Sequence, residues 1–350
     1  MVRSVTELDS LVIDKIKLPL AFLVVMLHCA GATSLDGGCL NYQNGFYDIS
    51  RILFSNNLCR IAVPIFFMIS GYLFFSEFDK WNFEIYKNKI KKRTKTVLVP
   101  YLLWNAITFL IYYLYELLYD FRNGISFMSI VDFFINHGGI RLFVDANQGY
   151  PIDYPLWFLR DLYLLFIISP CVLWINRNWV KYVLFLLFLI LPCYGIKQEY
   201  LMGITFFYLG ASLRLNEKPL CHSVDNRYLA IVLILIIIST FLFSNSPFYY
   251  LTNGLYIVIG YPFILNIVKC LKDKLPTQTA GCAFFIYATH SILLLPYIRQ
   301  YVDILGGGNS VALALLYILS AVFTFLLFLS IYKLVNFLFP SITNYLTGGR

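Results

Sequence analysis

Ten apolar stretches of near-membrane length, joined by short polar connections, do most to limit what this 350-residue chain can become. A hydrocarbon core about 30 Å thick needs roughly 20 apolar residues per crossing helix. Such stretches run from Leu18 to Ser34, Arg60 to Phe75, Val97 to Leu118, Pro155 to Ile175 and Val180 to Tyr194. They continue from Leu201 to Leu213, Tyr228 to Ser244, Gly254 to Lys269, Thr279 to Tyr297 and Val311 to Leu334. Backbone polar groups in lipid must bond within the protein, so each stretch reads as a helix. The second, fifth and sixth are short, and their ends are the least defined. The expectation is an all-α polytopic bundle of about ten transmembrane helices, one membrane domain over residues 1–350.

The composition fits a membrane solvent. Hydrophobic residues make up 59% and charged ones 13%, against roughly 25% charged in soluble domains. Residues 1–17 carry acidic side chains and lack a short apolar segment with a small-residue cleavage site, so the first stretch is expected to remain as a helix. The eight cysteines sit mostly in or beside apolar runs and show no CxxC or Cys/His ligand spacing. Neither a disulfide framework nor a metal site is expected.

A net charge of +8 would suit nucleic acid in a soluble chain, yet here the positive residues fall on alternate connections. One set holds Arg3, Lys15, Lys17, a cluster from Lys80 to Lys95, then Arg177, Lys181, Arg214, Lys218, Arg227, Lys269, Lys272, Lys274, Lys333 and Arg350. The other holds Arg51, Arg60, Arg122, Arg141, Lys197 and Arg299. The positive-inside rule then puts both termini in the cytoplasm and supports an even number of crossings. The partners expected are membrane lipids rather than nucleic acid, in a multi-pass protein of the plasma (inner) membrane.

Ionisable residues inside such spans are costly and mark substrate paths, relays or catalytic groups. Of four histidines, His28 and His290 lie in apolar runs, while His137 and His222 lie in loops. His28 is eleven residues past Lys17 and His290 eleven past Thr279, which at the helical rise puts both about 16 Å above one boundary. Arg160 and Asp161 sit at a comparable depth on a descending helix, while Arg60 belongs near the outer rim. Two histidines and a charged pair are therefore expected to share a cavity. Relay groups of a proton-coupled transporter or a glycolipid flippase would look similar, though no clear repeat symmetry or matched broken helices accompany them. The outer segment Asp120 to Tyr154 mixes charges with aromatics, a composition suited either to sugar stacking or to an ordinary wet loop.

The sequence resembles the acyltransferase-3 family of integral membrane acyltransferases over most of its length, from the first expected helix to the ninth. The matching features are Lys17-x10-His28, the helix from Arg60 ending in Ser70-Gly71-Tyr72, and the basic run Lys91 to Lys95 leading to Pro100-Tyr101. Leu156-Trp157-Phe158-Leu159-Arg160-Asp161 and Ile286-Tyr287-Ala288-Thr289-His290 complete them. Lys17 stands where the family usually has Arg, and Lys92-Arg93-Thr94-Lys95 replaces an Arg-x-x-Arg, which keeps the charge and removes guanidinium forks.

The resemblance implies transfer of an acyl group, most often acetyl from acetyl-CoA, to a hydroxyl of a cell-envelope carbohydrate, free or lipid-linked. Acetyl-CoA then acts as donor substrate, with no bound cofactor. His28 is the expected general base, since an imidazole titrates near neutrality, and His290 its partner in catalysis. Lys17, Lys92, Arg93 and Lys95 are donor-binding candidates. Arg60, Trp157, Arg160 and Asp161 are the candidates for shaping the acceptor site.

Overall fold

The computed structural model describes residues 7–30, 45–76, 82–126, 128–146, 149–221, 226–243, 246–275, 280–292, 304–307 and 309–349. Among these there is no β-strand. The longer helices are α1 (Glu7–His28), α2 (Phe46–Phe74), α3 (Phe83–Asn123), α4 (Tyr154–Trp174), α5 (Val180–Tyr194), α6 (Gln198–Leu215), α7 (Asn226–Leu242), α8 (Phe248–Leu271), α9 (Ala280–Thr289) and α10 (Ser310–Leu338). Of the described helices, α2, α3, α4, α8 and α10 are long and apolar enough to cross a membrane. α5, α7 and α9 are shorter apolar helices. The chain is a multi-pass, all-helical membrane protein.

Helix α1 shows how the pattern sets the packing. Val12, Ile16, Leu20 and Val24 recur every fourth residue and are all buried, so one stripe faces the bundle. His28 continues that stripe and is the last residue of the helix. Its first turn carries Glu7 and Asp9, which favour the positive end of the helix dipole. Asp9 is itself buried and accepts from the Tyr72 hydroxyl at 3.0 Å. Tyr72 of the Ser-Gly-Tyr sequence is thus a buried partner of α1 rather than an interfacial residue.

The short second stretch of the sequence reading extends upstream. Helix α2 is α-helical over Phe46–Arg51, passes through a wide turn at Ile52–Asn57 and a tight one at Leu58–Ile61, and is α-helical again at Ala62–Phe74. The polar residues that break the hydropathy pattern are partly paired within the helix, while Asp48 Oδ2, Arg51 Nε and Asn57 Oδ1 are buried with no hydrogen-bond partner among the described residues. Asp48 and Arg51 pair at 3.5 Å, and Asn57 Nδ2 donates to the Ile52 carbonyl at 2.9 Å. Wide π-type turns of this kind occur often at functional sites.

Helices α2 and α6 meet backbone to backbone. A Cβ on Gly71 would overlap the Phe207 carbonyl, and one on Gly210 would overlap the Met68 carbonyl. Small residues permit such approach where lipid offers no hydrophobic drive between helices. The ninth expected stretch is helical only to Thr289, with His290 in the turn after it. Its remainder, residues 293–297, lies outside the described residues, as does His222.

Candidate active site

Helix α1 starts at Glu7, so Lys17 stands at mid-helix rather than at the boundary expected from the apolar stretch, and two cavities are lined by His28 at its end and by Lys17 at its middle. The larger, of about 920 Å³, is walled by His28, Arg60, Trp157, Glu199, Tyr249 and Tyr287, among others. The smaller, of about 380 Å³, is walled by Lys17, Ser70 and Arg93 with apolar residues including Phe66, Phe166 and Phe284.

The position of His28 is set by the end of α1. The Tyr317 hydroxyl donates to the Met26 carbonyl at 3.2 Å and shares a 2.8 Å hydrogen bond with Ser55 Oγ in the wide turn of α2. Two residues later, the partly exposed His28 ring forms part of the cavity wall. His290 lies behind it, fully buried, with ring centroids 5.3 Å apart and planes inclined by 36°. His290 Nδ1 lies 3.1 Å from the Ile286 carbonyl and 2.8 Å from that of Tyr287. Both neighbours are acceptors, so Nδ1 carries the proton and Nε2 is the basic nitrogen of the neutral ring. The same contact satisfies carbonyls that the C-terminus of α9 leaves open.

The mouth of the larger cavity is polar and aromatic. Arg60 Nη1 and Glu199 Oε1 are 3.4 Å apart, joining α2 to the first turn of α6. The Tyr150 and Tyr154 rings lie 4.4 Å apart, tilted by 41°, Tyr154 meets His28 edge-on at 5.7 Å, and Lys197 Nζ sits 5.3 Å from the Tyr150 ring centre. Burial, then the neighbouring Tyr154 and Glu199, push the Tyr150 hydroxyl up, so it stays a neutral phenol. Asn253 on α8 donates to the Asn56 carbonyl, tying a further helix to the wide turn. Aromatic faces with flanking polar groups suit a hydroxylated ligand.

The smaller cavity has another character. Lys17 pairs with Asp14 at 2.8 Å. The Arg93 guanidinium lies 5.0 Å from the Phe166 ring centre, holding a cation at one end of a largely apolar slot. Guanidinium and ammonium groups beside such a slot suit a ligand with a phosphate head and an apolar arm.

The sequence candidates divide. His28, Arg60 and Trp157 line the larger cavity, His290 backs it, and Lys17 and Arg93 line the smaller one. Lys92 and Lys95 are exposed on the same basic segment and form no part of either wall. Arg160 and Asp161 do pair, at 2.8 Å, but as chain neighbours outside both walls. Arg160 Nη1 donates to the Val144 and Gly149 carbonyls at 2.6 and 2.7 Å, so the residue fastens the preceding loop to α4. Neither residue enters the cavity that the depth argument anticipated.

Two cavity residues and one buried carboxyl beside them had escaped the sequence reading. Glu199 opens a short, weakly apolar helix and was not linked to Arg60. Tyr287 passes for one more aromatic in an apolar run. Asp153, in the connection ahead of α4, is buried, and its Oδ1 accepts from Ser291 Oγ at 3.4 Å. Its Oδ2 has no hydrogen-bond partner among the described residues. Burial holds this carboxyl well above the usual carboxylate range, with the Ser291 contact opposing the shift. No group of three or more His, Cys, Asp or Glu side chains among the described residues is placed to hold a metal ion.

Comparison with known proteins bears on this arrangement. The acyltransferase-3 profile, described as an acyltransferase domain, matches residues 12–333 and so takes in both histidines and both cavities. The succinoglycan biosynthesis protein ExoH of Rhizobium meliloti (strain 1021) is 32% identical over 133 residues. That alignment covers 36% of this chain and 32% of ExoH, about a third of the relative's length. No solved structure matches the chain. With the profile running from α1 to near the end of α10 through every helix that walls the site, the chain belongs to the acyltransferase-3 family of acyltransferase domains.

Proposed function

We propose that the protein is a membrane O-acyltransferase that carries acetyl from acetyl-CoA to a hydroxyl of a cell-envelope polysaccharide or lipid-linked sugar. The observation that carries this reading is His28 in the wall of the polar cavity, backed ring to ring by His290. The CoA phosphates dock at Lys17 and Arg93, and the thioester arm extends along the apolar slot. Lys92 and Lys95 add to the positive field at its mouth and draw the donor in. The acceptor sugar stacks on Tyr150, Tyr154 and Trp157, with Arg60 and Glu199 bonding its hydroxyls. A relative named for succinoglycan biosynthesis supports a polysaccharide acceptor.

In the reaction His28 takes the proton of the acceptor hydroxyl as its oxygen attacks the thioester carbonyl. The new C–O bond forms, the C–S bond breaks, and the departing CoA sulfur takes up the proton. Nδ1 of His290 is committed to backbone carbonyls, so its Nε2 is the nitrogen suited to receive a proton from, or orient, its neighbour. Arg160 and Asp161 shape the acceptor site indirectly, by holding the loop that carries Tyr150.

We further read residues 1–350 as one domain of ten crossings in the plasma membrane, with both termini and the Lys17 cavity on the cytoplasmic side. Radiolabelled acetyl-CoA supplied to sealed vesicles of known orientation tests the arrangement. Incorporation is expected when the donor meets the cytoplasmic face. Incorporation from the opposite face alone would overturn it.

A further inference from the structure

Tyr287 lines both cavities. Its hydroxyl donates to the Pro155 carbonyl, at the start of α4. Its ring lies edge-on to Phe158 at 6.0 Å, and Phe158 in turn packs against Phe66 at 6.0 Å and Phe67 at 4.6 Å. Trp157, next along α4, lines the polar cavity while Phe158 lines the apolar one. The layer between the chambers is thus a set of rings on α2, α4 and α9, and Tyr287 reaches both sides. Its backbone carbonyl also accepts from His290 Nδ1 at 2.8 Å. One residue therefore touches the donor chamber, the acceptor chamber and the histidine pair.

We infer that Tyr287 is the partition between the two chambers: its ring closes the passage around the acetyl end of the donor, which alone reaches through to His28 and the acceptor, and so keeps the water of the polar cavity out of the donor slot. This rests on the donor and acceptor assignment above. A thioester exposed to water would be lost as acetate and free CoA: water oxygen bonds to the carbonyl carbon, the C–S bond breaks, and CoA leaves as the thiol. Excluding water from a reactive intermediate is a recognised use of a closed site. The ring does the sealing, so Tyr287→Phe keeps the partition and Tyr287→Ala opens it.

Two measurements on the full chain in membranes test this. The first compares CoA released from acetyl-CoA without added acceptor with acetyl incorporated into envelope polysaccharide. Tyr287→Ala is expected to raise the ratio of release to incorporation about tenfold or more, while Tyr287→Phe stays within about twofold of wild type. The second needs no activity. Ser70→Cys places a thiol in the smaller cavity, and a membrane-impermeant maleimide is added from either face. Labelling above that of the chain without this thiol is expected from the Lys17 face alone, and from both faces once Tyr287→Ala is added.

An inserted Tyr287→Ala chain with a wild-type ratio and one-sided labelling would overturn the partition. A wild-type chain that incorporates no acetyl would instead sink the functional reading, and the labelling would still decide the partition.

Discussion

His28 and His290 face each other with ring centroids 5.3 Å apart, one in the wall of a polar cavity and the other wholly buried behind it. The pair divides the work by environment. His28 lines the cavity, while His290 has Nδ1 fixed by two carbonyls. Replacing His290 by Ala is expected to lower kcat at least about tenfold and to change the pH profile of kcat, because the ring packed against the proposed base is gone. A uniform fall with an unchanged profile would reduce His290 to a helix cap.

The basic segment offers a contrast within three residues. Arg93 walls the apolar slot against Phe166, while Lys92 is exposed beside it. Arg93→Ala is expected to raise KM for acetyl-CoA about tenfold, through loss of a fork suited to phosphate. Lys92→Ala should raise it only about twofold, an effect that disappears in high salt because it acts through the field. Steady-state kinetics at low and high ionic strength separate the two.

The α2–α6 contact has no room for a methyl group. Gly210→Ala is expected to force the helices apart and cost about 1–3 kcal/mol, the usual range for overpacking. Thermal unfolding in detergent should show a clear loss of Tm. The same change at Gly195, where a Cβ would meet nothing within 4 Å, forms no helix contact; a loss there through its positive φ would leave the α2–α6 distance unchanged.

Asp153 makes stability depend on pH in an unusual direction. Its carboxyl is held well above the ordinary range in the folded chain, whereas the unfolded chain ionises near about 3.9. As pH rises past that value the unfolded state sheds its proton first and gains relative to the fold. The loss grows until the folded carboxyl also ionises. Asp153→Asn removes the effect and can still accept from Ser291. The variant should melt above wild type at neutral pH and level with it near about pH 4. A gap independent of pH would contradict the assignment.

Much of the site was legible because depth follows from counting. Counting eleven residues to His28 from Lys17 and to His290 from Thr279 put the two at one level, and their rings do meet, although α1 starts at Glu7 and carries Lys17 at mid-helix rather than at a boundary. Lys17 and Arg93, candidates through the family resemblance, both line the smaller cavity. Contacts made by connections between helices are set by no period, so Asp153 passed for part of a wet loop. Arg160 and Asp161 were placed by depth alone, but a helix turns 100° per residue, and depth does not say which way a side chain points. The upstream half of α2 was hidden by Asp48, Arg51, Asn56 and Asn57, whose polarity reads as a loop until their bonding partners are visible. Tyr287 was missed for the opposite reason, as an aromatic residue among apolar ones.

His28→Ala tests the central claim most directly, with acetyl incorporation measured in membranes where the variant inserts at the wild-type level. Loss of the base is expected to lower transfer by about 10²–10⁴ while membrane insertion and thermal unfolding are retained. Wild-type turnover in that variant would remove His28 from the chemistry and contradict the account.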